Sequence, residues 1–328
     1  MSKPWVSIRR LREFGMLGMN CRNVDFINRY NQRKYFPLVD NKLKTKLLAQ
    51  EHAVPTPGLK FVVREQHEIR KIERQLADLD SFALKPAKGS GGKGILVVTG
   101  RQGDHFVRSS GALIDITDIR RHMSNILAGL YSLAGSADVA IVEDLIAFDD
   151  CFTGYSYEGV PDIRIIVFRG YPVMAMLRLA TTASDGKANL HQGAVGVGLA
   201  LDSGRCLKAV QFGRPIKLHP DTGRPLSDIR ISGWREILLL ASQCYDMTSL
   251  GYIGTDIVLD KFAGPQLLEL NARPGLAIQI TNGRGLLPRL RHIEHMAVNR
   301  RFRAEQRVEY SMRQFAQDQS PAQNVDAR

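Results

Sequence analysis

The stretch from Gly254 to Gly275, GTDIVLDKFAGPQLLELNARPG, constrains this chain more than any other. Two apolar runs, Ile257 to Leu259 and Gln266 to Leu270, flank the turn-forming residues 260–265, which predicts two β-strands joined by a short connection. Asp256 opens the first strand, and Glu269 and Asn271 stand two apart near the end of the second. Side chains alternate across a strand, so Glu269 and Asn271 share a face, where Asp256 meets them if the strands pair as a hairpin. Three hard oxygen ligands on one face suit Mg²⁺, which takes few protein ligands and fills its octahedron with phosphate oxygens and water. A phosphate-directed metal site is therefore the working expectation.

Composition narrows the rest. At 328 residues the chain has room for two modest domains or one large α/β domain with lobes. A hydrophobic content of 44% and a charged content of 24% are ordinary for a globular protein, and no window approaches the roughly 18 uninterrupted apolar residues of a membrane span. The N-terminus has arginines but no apolar signal core, and Cys21, Cys151, Cys206 and Cys244 form no CxxC pair. A cytoplasmic protein with reduced thiols and no zinc is expected. The net charge of +12 is uneven: residues 1–46 contribute +8 and residues 284–303 contribute +5, leaving −1 elsewhere. Neither basic segment interleaves aromatics in a nucleic-acid motif, so a solvated face or a docking surface for an acidic protein partner is the plainer reading.

Taken in order, Trp5, Ile8 and Leu11 have helical spacing with Arg9, Arg10 and Arg12 between them, a pattern for a helix docked on its own protein or lying on a membrane surface. Lys42, Leu43, Lys46, Leu47 and Gln50 predict a helix capped by Asp40 or Asn41 and stopped before Pro55, with Lys42 and Lys46 one turn apart. Alone, that pair reads as two solvent-exposed lysines. Residues 65–79 predict an amphipathic helix with Ile69, Ile72, Leu76 and Leu79 inward. A strand then ends at Lys85-Pro86, followed by a loop holding Gly89, Ser90, Gly91, Gly92 and Gly94, and a strand from Ile95 to Val98. A P-loop would lead into a helix instead, but such a hairpin still folds over phosphates, because glycine lets backbone N–H groups approach them.

A helix is expected over Asp118 to Leu133, then a buried strand running into Glu143-Asp144-Leu145. An antiparallel pair turns at Arg169-Gly170, with Asp162 and Arg164 at its start and Arg178 near its end. The loop after it carries Lys187, Asn189, His191 and Gln192 in Gly-rich sequence, and long loops within a compact domain are commonly functional. Turn-rich material, including HPDTG, leads to a helix from Trp234 to Tyr245 capped by Ser232, and beyond Gln314 the polar sequence predicts a frayed tail. The division expected is a short basic segment over 1–38, a small lobe over 39–140, a large lobe over 141–303 and a tail over 304–328.

The order of these features resembles the ATP-grasp superfamily of carboxylate–amine ligases over about residues 38 to 282. DIR at 162–164, KANLHQGA at 187–194, and GTDI with ELNARPG look like the RimK-type α-L-glutamate ligases; HPDTG followed by Trp234 also resembles the sugar-transfer-associated ATP-grasp proteins. The resemblance implies an α+β fold in which two α/β lobes with antiparallel sheets clamp a nucleotide. It implies that Lys42 and Lys85 contact ATP phosphates under a lid of Gly89, Ser90, Gly91 and Gly92, and that backbone at Glu143, Asp144 and Leu145 reads adenine, with Asp162 as the nucleotide-site acid. Lys187 would contact ATP, Asn189 would lie near the γ-phosphate, and Asp256, Glu269 and Asn271 would hold Mg²⁺ or Mn²⁺. Arg178, Lys187 and Arg273 are candidates to anchor a substrate carboxylate, since an arginine fork pairs with it bidentately. Gln192 stands where RimK-type enzymes have a basic residue, and only about 40 residues precede Lys42 in place of their separate α/β domain.

The expected activity is an ATP- and Mg²⁺-dependent ligase that joins a small-molecule carboxylate to an amine or peptide acceptor. The alternatives are an ATP-grasp enzyme acting on a cell-surface saccharide or its precursor, and a catalytically degenerate basic scaffold or nucleic-acid-binding protein, although nucleic acid is not the partner the sequence favours. A homo-oligomer is a further expectation, from the short N-terminal segment.

Overall fold

The computed structural model describes residues 7–89, 91–132, 135–296 and 302–316. Ser90, Trp5 and the tail beyond residue 316, all singled out above, lie outside them. The helices are α1 (Ile8–Glu13), α2 (19–30, with a π-wound centre), α3 (Lys42–Glu51), α4 (Ile72–Leu76), α5 (Ile116–Leu127), α6 (Trp234–Thr248), α7 (Ile278–Asn282), α8 (Leu287–His295) and α9 (Ala304–Ala316). The first sheet comprises β1 (Leu59–Val63), β2 (Phe82–Pro86), β3 (Leu96–Gln102), β4 (His105–Arg108), β5 (Leu113–Ile114) and β6 (Ala140–Glu143), in the order β1-β6-β2-β3-β4-β5. The second comprises β7 (Asp162–Phe168), β8 (Tyr171–Leu179), β9 (Val195–Leu199), β10 (Cys206–Gln211), β11 (Arg214–Ile216), β12 (Tyr252–Asp260) and β13 (Gly264–Asn271), in the order β11-β10-β9-β8-β7-β12-β13. Every pairing is antiparallel.

Each sheet buries a main core, and a smaller cluster of Leu43, Ala87 and Ile141 joins α3 to the small sheet. The small lobe packs Ile119, Met123 and Ile126 of α5 and Ile72 and Leu76 of α4 against Phe82 and its neighbours. In the large lobe the central strands β7, β8 and β12 are covered on both faces and mostly apolar, because α6 covers one side and α2, α8 and α9 contribute to the rest of the core; Asp162, Arg164, Arg178 and Asp256 are among the exceptions. Strands covered on both faces read as continuous apolar runs, not as alternation.

Several expectations shift. β6 pairs with β1 and β2, so the small lobe runs past residue 140 to Glu143. Segment 1–38 sends Leu17, Phe26 and Ile27 into the large-lobe core, and α9 adds Val308 and Phe315, so neither is an appendage. The segment 65–79 splits into a 3₁₀ stretch, Gln66–Lys71, and α4: a Glu65/Glu68 capping box starts it, and the three-residue winding still buries Ile69, Ile72 and Leu76. α5 starts earlier and stops sooner than expected, with a capping box on Asp115 and Gly129 turning left-handed after it. Gly233, not Ser232, caps α6, in a left-handed conformation and with no side-chain hydrogen bond. None of the residues of α1 is fully buried, and Trp5 of the expected pattern lies outside the described residues.

Candidate nucleotide and metal site

The register of the large sheet builds a ladder of charge. Arg178 on β8 is directly opposite Asp162 on β7, Arg164 on β7 is opposite Asp256 on β12, and Asp256 is opposite Glu269 on β13. Gly254 is opposite Asn271, and with a side-chain period of two all of these groups fall on one face. Asp256 lies mid-strand and not at the start, since β12 begins at Tyr252. A bulge at Leu268 restores the face for Glu269: Asp256 pairs with Glu269 but Ile257 pairs with Leu267.

This ladder is largely self-satisfied. Both Asp256 oxygens accept from Arg164, at 2.7 and 2.6 Å, and Oδ2 also accepts from Arg178 Nη2 at 2.7 Å. Arg178 Nε donates to Asp162 Oδ1 at 2.6 Å. Burial pushes the Asp162 carboxyl up to about 6, although Arg178 opposes it. Asp256 is buried as deeply, yet two guanidiniums, Arg164 then Arg178, outweigh burial and hold it down to about 2. Arg178 is thus bound between two carboxylates through Nε and Nη2.

A second set of charges faces the ladder from the small lobe. Asn41 caps α3, as expected, and Lys42 and Lys46 of α3 line a cavity with Lys85 and with Glu269 of β13. Lys42 Nζ donates to Gly89 O at 2.6 Å and to Glu269 Oε1 at 3.0 Å, which ties the glycine loop to the hairpin. The Lys42 side chain is 16% exposed and Lys46 is 4% exposed, so the reading of these two as a solvent-exposed pair fails; Lys85 is buried as well, at 5%. Both lysines converge on the Glu143 carboxylate, Lys46 at 2.9 Å on one oxygen and Lys85 on the other. Burial lowers the Lys46 pKa, with Glu143 opposing and Lys85 adding to the fall. Lys42, Lys46, Thr45, Lys85, Thr56 and Glu269 line a cavity of about 10 Å³, the room of roughly one water. A larger groove of about 460 Å³ lies elsewhere on the small lobe, beside Arg70, Arg120 and Arg121, and contains none of these residues.

The remaining candidates are placed as follows. The base of the glycine loop is fixed by Asp138, which accepts the Lys88 N–H on both oxygens, at 2.9 and 3.1 Å, and the Ser132 hydroxyl at 2.7 Å. Gly91 and Gly92 both have positive φ, and a β-carbon on Gly92 would sit 3.9 Å from Lys187 Cγ, so the loop faces Lys187. Lys187 Nζ donates to Asp185 at 2.8 Å, and the Asn189 side chain caps the turn Leu190–Gln192 by accepting the His191 N–H. The Asp144 carboxylate pairs outward with Lys60 at 2.7 Å, and its N–H donates to Gly58 O, so that donor is already committed; Leu145 is half-buried after it. Arg273 is exposed, its guanidinium 5.0 Å from the Phe36 ring centroid, and joins none of these ion pairs. Lys46, Arg164 and Asp138 were not singled out for the site; for Arg164 the signal was present, since it shares a strand face with Asp162.

The donor set fits a hard cation. Glu269 is half exposed toward the gap and Asn271 stands beside it, so a carboxylate and an amide are accessible, with the remaining positions left to water and phosphate oxygens. Among the described residues no three His, Cys, Asp or Glu side chains cluster as a metal site, and Asp256 joins the set only through oxygens that already accept three guanidinium hydrogen bonds.

Two lobes of antiparallel sheet, with a glycine hairpin, lysines from both sides and a carboxylate–amide hairpin between them, constitute an ATP-grasp fold. The model of the sugar-transfer associated ATP-grasp family matches residues 21–295, and the chain belongs to that family. No curated protein matches the chain. Among solved structures it is similar to the ATP-grasp ligase PsnB complexed with a minimal precursor, at 13% identity and a TM-score of 0.42 over 80% of this chain and 60% of that one. It is also similar to D-cycloserine synthetase DcsG (13%, TM-score 0.45, 79% and 70% covered) and to D-alanyl-alanine synthetase A from Vibrio cholerae (10%, 0.47, 87% and 66%). The chain thus spans about 60% of the length of the first of these. Among the described residues no helix is long and apolar enough to cross a membrane.

Proposed function

We propose that the chain is an ATP- and Mg²⁺-dependent ligase that joins a carboxylate to an amine through an acyl phosphate. The observation that carries this reading is the convergence of cations in the cleft: Lys42, Lys46 and Lys85 pair directly with Glu269 and Glu143, Asp144 adds a weaker attraction on Lys46 while pairing with Lys60, and a polyanion would find three ammonium groups together. Lys42 and Lys85 would take phosphate oxygens, with the backbone of Gly91 and Gly92 above them and Lys187 opposite. Glu269 and Asn271, with Asp256 behind them, would hold Mg²⁺, which supplies charge neutralisation and a template for the phosphates. Because the cavity has room for about one water, nucleotide entry requires the lobes to part or Lys42 to leave Glu269.

In the first step a carboxylate oxygen of the substrate attacks the γ-phosphorus, the bond to the bridging oxygen breaks, and ADP leaves. In the second an amine attacks the acyl carbon, phosphate leaves with the bonding pair, and the amine nitrogen loses a proton. The protein positions the reactants and offsets their charge; it forms no covalent bond. Glutamate as a substrate is the RimK-like form of this proposal, supported by DIR at 162–164 and KANLHQGA at 187–194. A second form, favoured by the family description, places the carboxylate or amine on a saccharide. Incubation with ATP, Mg²⁺ and panels of amino acids, peptides and amino or uronic sugars, followed by mass spectrometry, separates the two. ADP release that needs an acid and an amine together is expected, and no release with any pair, in a protein that binds ATP, would favour a degenerate scaffold.

A further inference from the structure

The turn 219–225, His-Pro-Asp-Thr-Gly-Arg-Pro, takes no part in the steps above, yet it is closed on itself and bonded outward to two loops. Inside it, His219 N–H donates to Arg224 O and Gly223 N–H to His219 O, both at 2.8 Å, and Asp221 N–H donates to His219 Nδ1 at 3.3 Å. His219 is 1% exposed, burial lowers its pKa and so favours the neutral ring, and the Asp221 N–H makes Nδ1 the acceptor. Outward, the turn reaches two loops. Asp221 Oδ2 accepts the Thr182 N–H at 2.8 Å. On the other side, Thr222 Oγ1 donates to Gly154 O at 2.8 Å, Arg224 Nη1 donates to Thr153 O at 2.7 Å, and Tyr155 OH donates to Pro225 O at 3.1 Å.

Those loops are also laced to each other. Tyr157 N–H donates to Ala180 O at 3.0 Å, and a β-carbon on Gly159 would stand 2.2 Å from Gly186 O, so only glycine permits the approach. From Thr182 the chain makes one short turn, with Lys187 N–H on Ser184 O, before reaching Lys187 and Asn189. The Thr182–Asp221 hydrogen bond is thus an external tie on the loop at the point where it leaves β8 for the glycine lid.

We propose that the turn 219–225 is a positioning element, in which Asp221 holds the 181–187 loop and thereby sets where Lys187 and Asn189 stand opposite the glycine loop. Asp221 acts as a hydrogen-bond acceptor in this role and touches no reactant. The consequence for turnover rests on the ligase reading above; the hold on the loop does not.

The test uses the full chain with Asp221→Ala, Asp221→Asn and Thr222→Val, each checked by circular dichroism for an intact fold. Tryptic cleavage after Lys187 under native conditions, followed by mass spectrometry, reads loop release without reference to activity. Asp221→Ala is expected to be cut there about tenfold faster or more, because local opening no longer has to break the tie. Asp221→Asn keeps an oxygen for the same N–H and is expected to stay within about threefold of the parent, and Thr222→Val, on the far side of the turn, to fall between. For ATP turnover, kcat is expected to fall with Asp221→Ala by more than KM for ATP changes, and to return with Asp221→Asn. Unchanged cleavage in Asp221→Ala overturns the proposal; so does Asp221→Asn behaving like Asp221→Ala, which would make the charge and not the hydrogen bond the active element. Faster cleavage in a protein that turns over no acid and amine pair leaves the loop tie standing and sinks the ligase reading instead.

Discussion

Replacing Glu143 by glutamine isolates the physics at the floor of the cleft. The carboxylate is almost wholly buried and faces two equally buried ammonium groups, Lys46 at 2.9 Å and Lys85 on the other oxygen. At an effective dielectric of about 20, one such pair carries roughly 6 kcal/mol of Coulomb attraction, part of which is cancelled by the several kcal/mol spent desolvating the carboxylate. Glutamine offers one acceptor oxygen and turns an NH₂ donor toward the second ammonium. The expected loss is about 3–5 kcal/mol, typical of a buried pair left without its partner and a large share of a total stability of about 5–15 kcal/mol. The loss must also depend on pH. Lys46 already titrates below its usual range because it is buried, and without Glu143 it falls further. Between the lowered folded value and the unfolded one the unfolded chain binds more protons, so stability rises with pH there and the deficit shrinks. Urea unfolding near neutral pH and again about two to three pH units higher measures both quantities. Adding Lys46→Met restores the original balance of charge and should recover a substantial part of the deficit. A deficit below about 1 kcal/mol near neutrality, or one that grows as pH rises, refutes the buried-charge argument.

Glu269→Ala should abolish Mg²⁺-dependent ATP turnover while costing less than about 1 kcal/mol in stability, since its pair with Lys42 is partly exposed; retained turnover would remove Glu269 from the metal set. Asp256→Asn should instead cost about 3 kcal/mol or more as well as activity, because it strips Arg164 and Arg178 of a buried partner, and a thermal melt equal to the parent's would contradict that. Asp162, raised to about 6, makes the folded chain bind more protons than the unfolded chain between about pH 4 and 6, so it lowers stability as pH rises through that window. Relative to Asp162→Asn, the parent should therefore lose up to about 3 kcal/mol from pH 4 to pH 6.5 in urea unfolding, and a difference that stays flat would place the raised carboxyl elsewhere.

What the sequence discloses is what local periodicity encodes. The hairpin, the strand pair turning at Arg169-Gly170, the glycine connection and the α3 cap are written in alternation, turn residues and capping chemistry, and they stand where expected. The boundary at residue 140 fails for a physical reason: β6 is hydrogen-bonded between β1 and β2, and no local pattern says which sheet a short apolar strand joins. Lys46 is the sharper case. One helical turn from Lys42, it looks solvated until Glu143, 97 residues away along the chain, arrives beside it. Arg178 is a further case: its pairs with Asp162 and Asp256 come from a register that only the folded sheet defines.

Both halves of the cleft manage the same difficulty, charge that must be present for a ligand and tolerable without one. On the large sheet, cross-strand neighbours alternate in sign, so Arg164 and Arg178 neutralise Asp256 and Asp162 within the fold, and the ladder is rigid. Between the lobes the solution is partial: Lys42 borrows Glu269 and Gly89 O, while Lys46 and Lys85 share Glu143. Each borrowed partner is one that a phosphate or a metal ion can replace, since Lys42 gains an anion when Glu269 gains a cation. The Lys42–Glu269 pair thereby couples the two occupancies: a nucleotide without a cation leaves Glu269 unpaired, and a cation without a nucleotide leaves Lys42 unpaired. If the chain is the ligase proposed above, ATP and Mg²⁺ should bind together more tightly than either does alone, and the cooperativity should diminish in Lys42→Met, where the exchange no longer takes place.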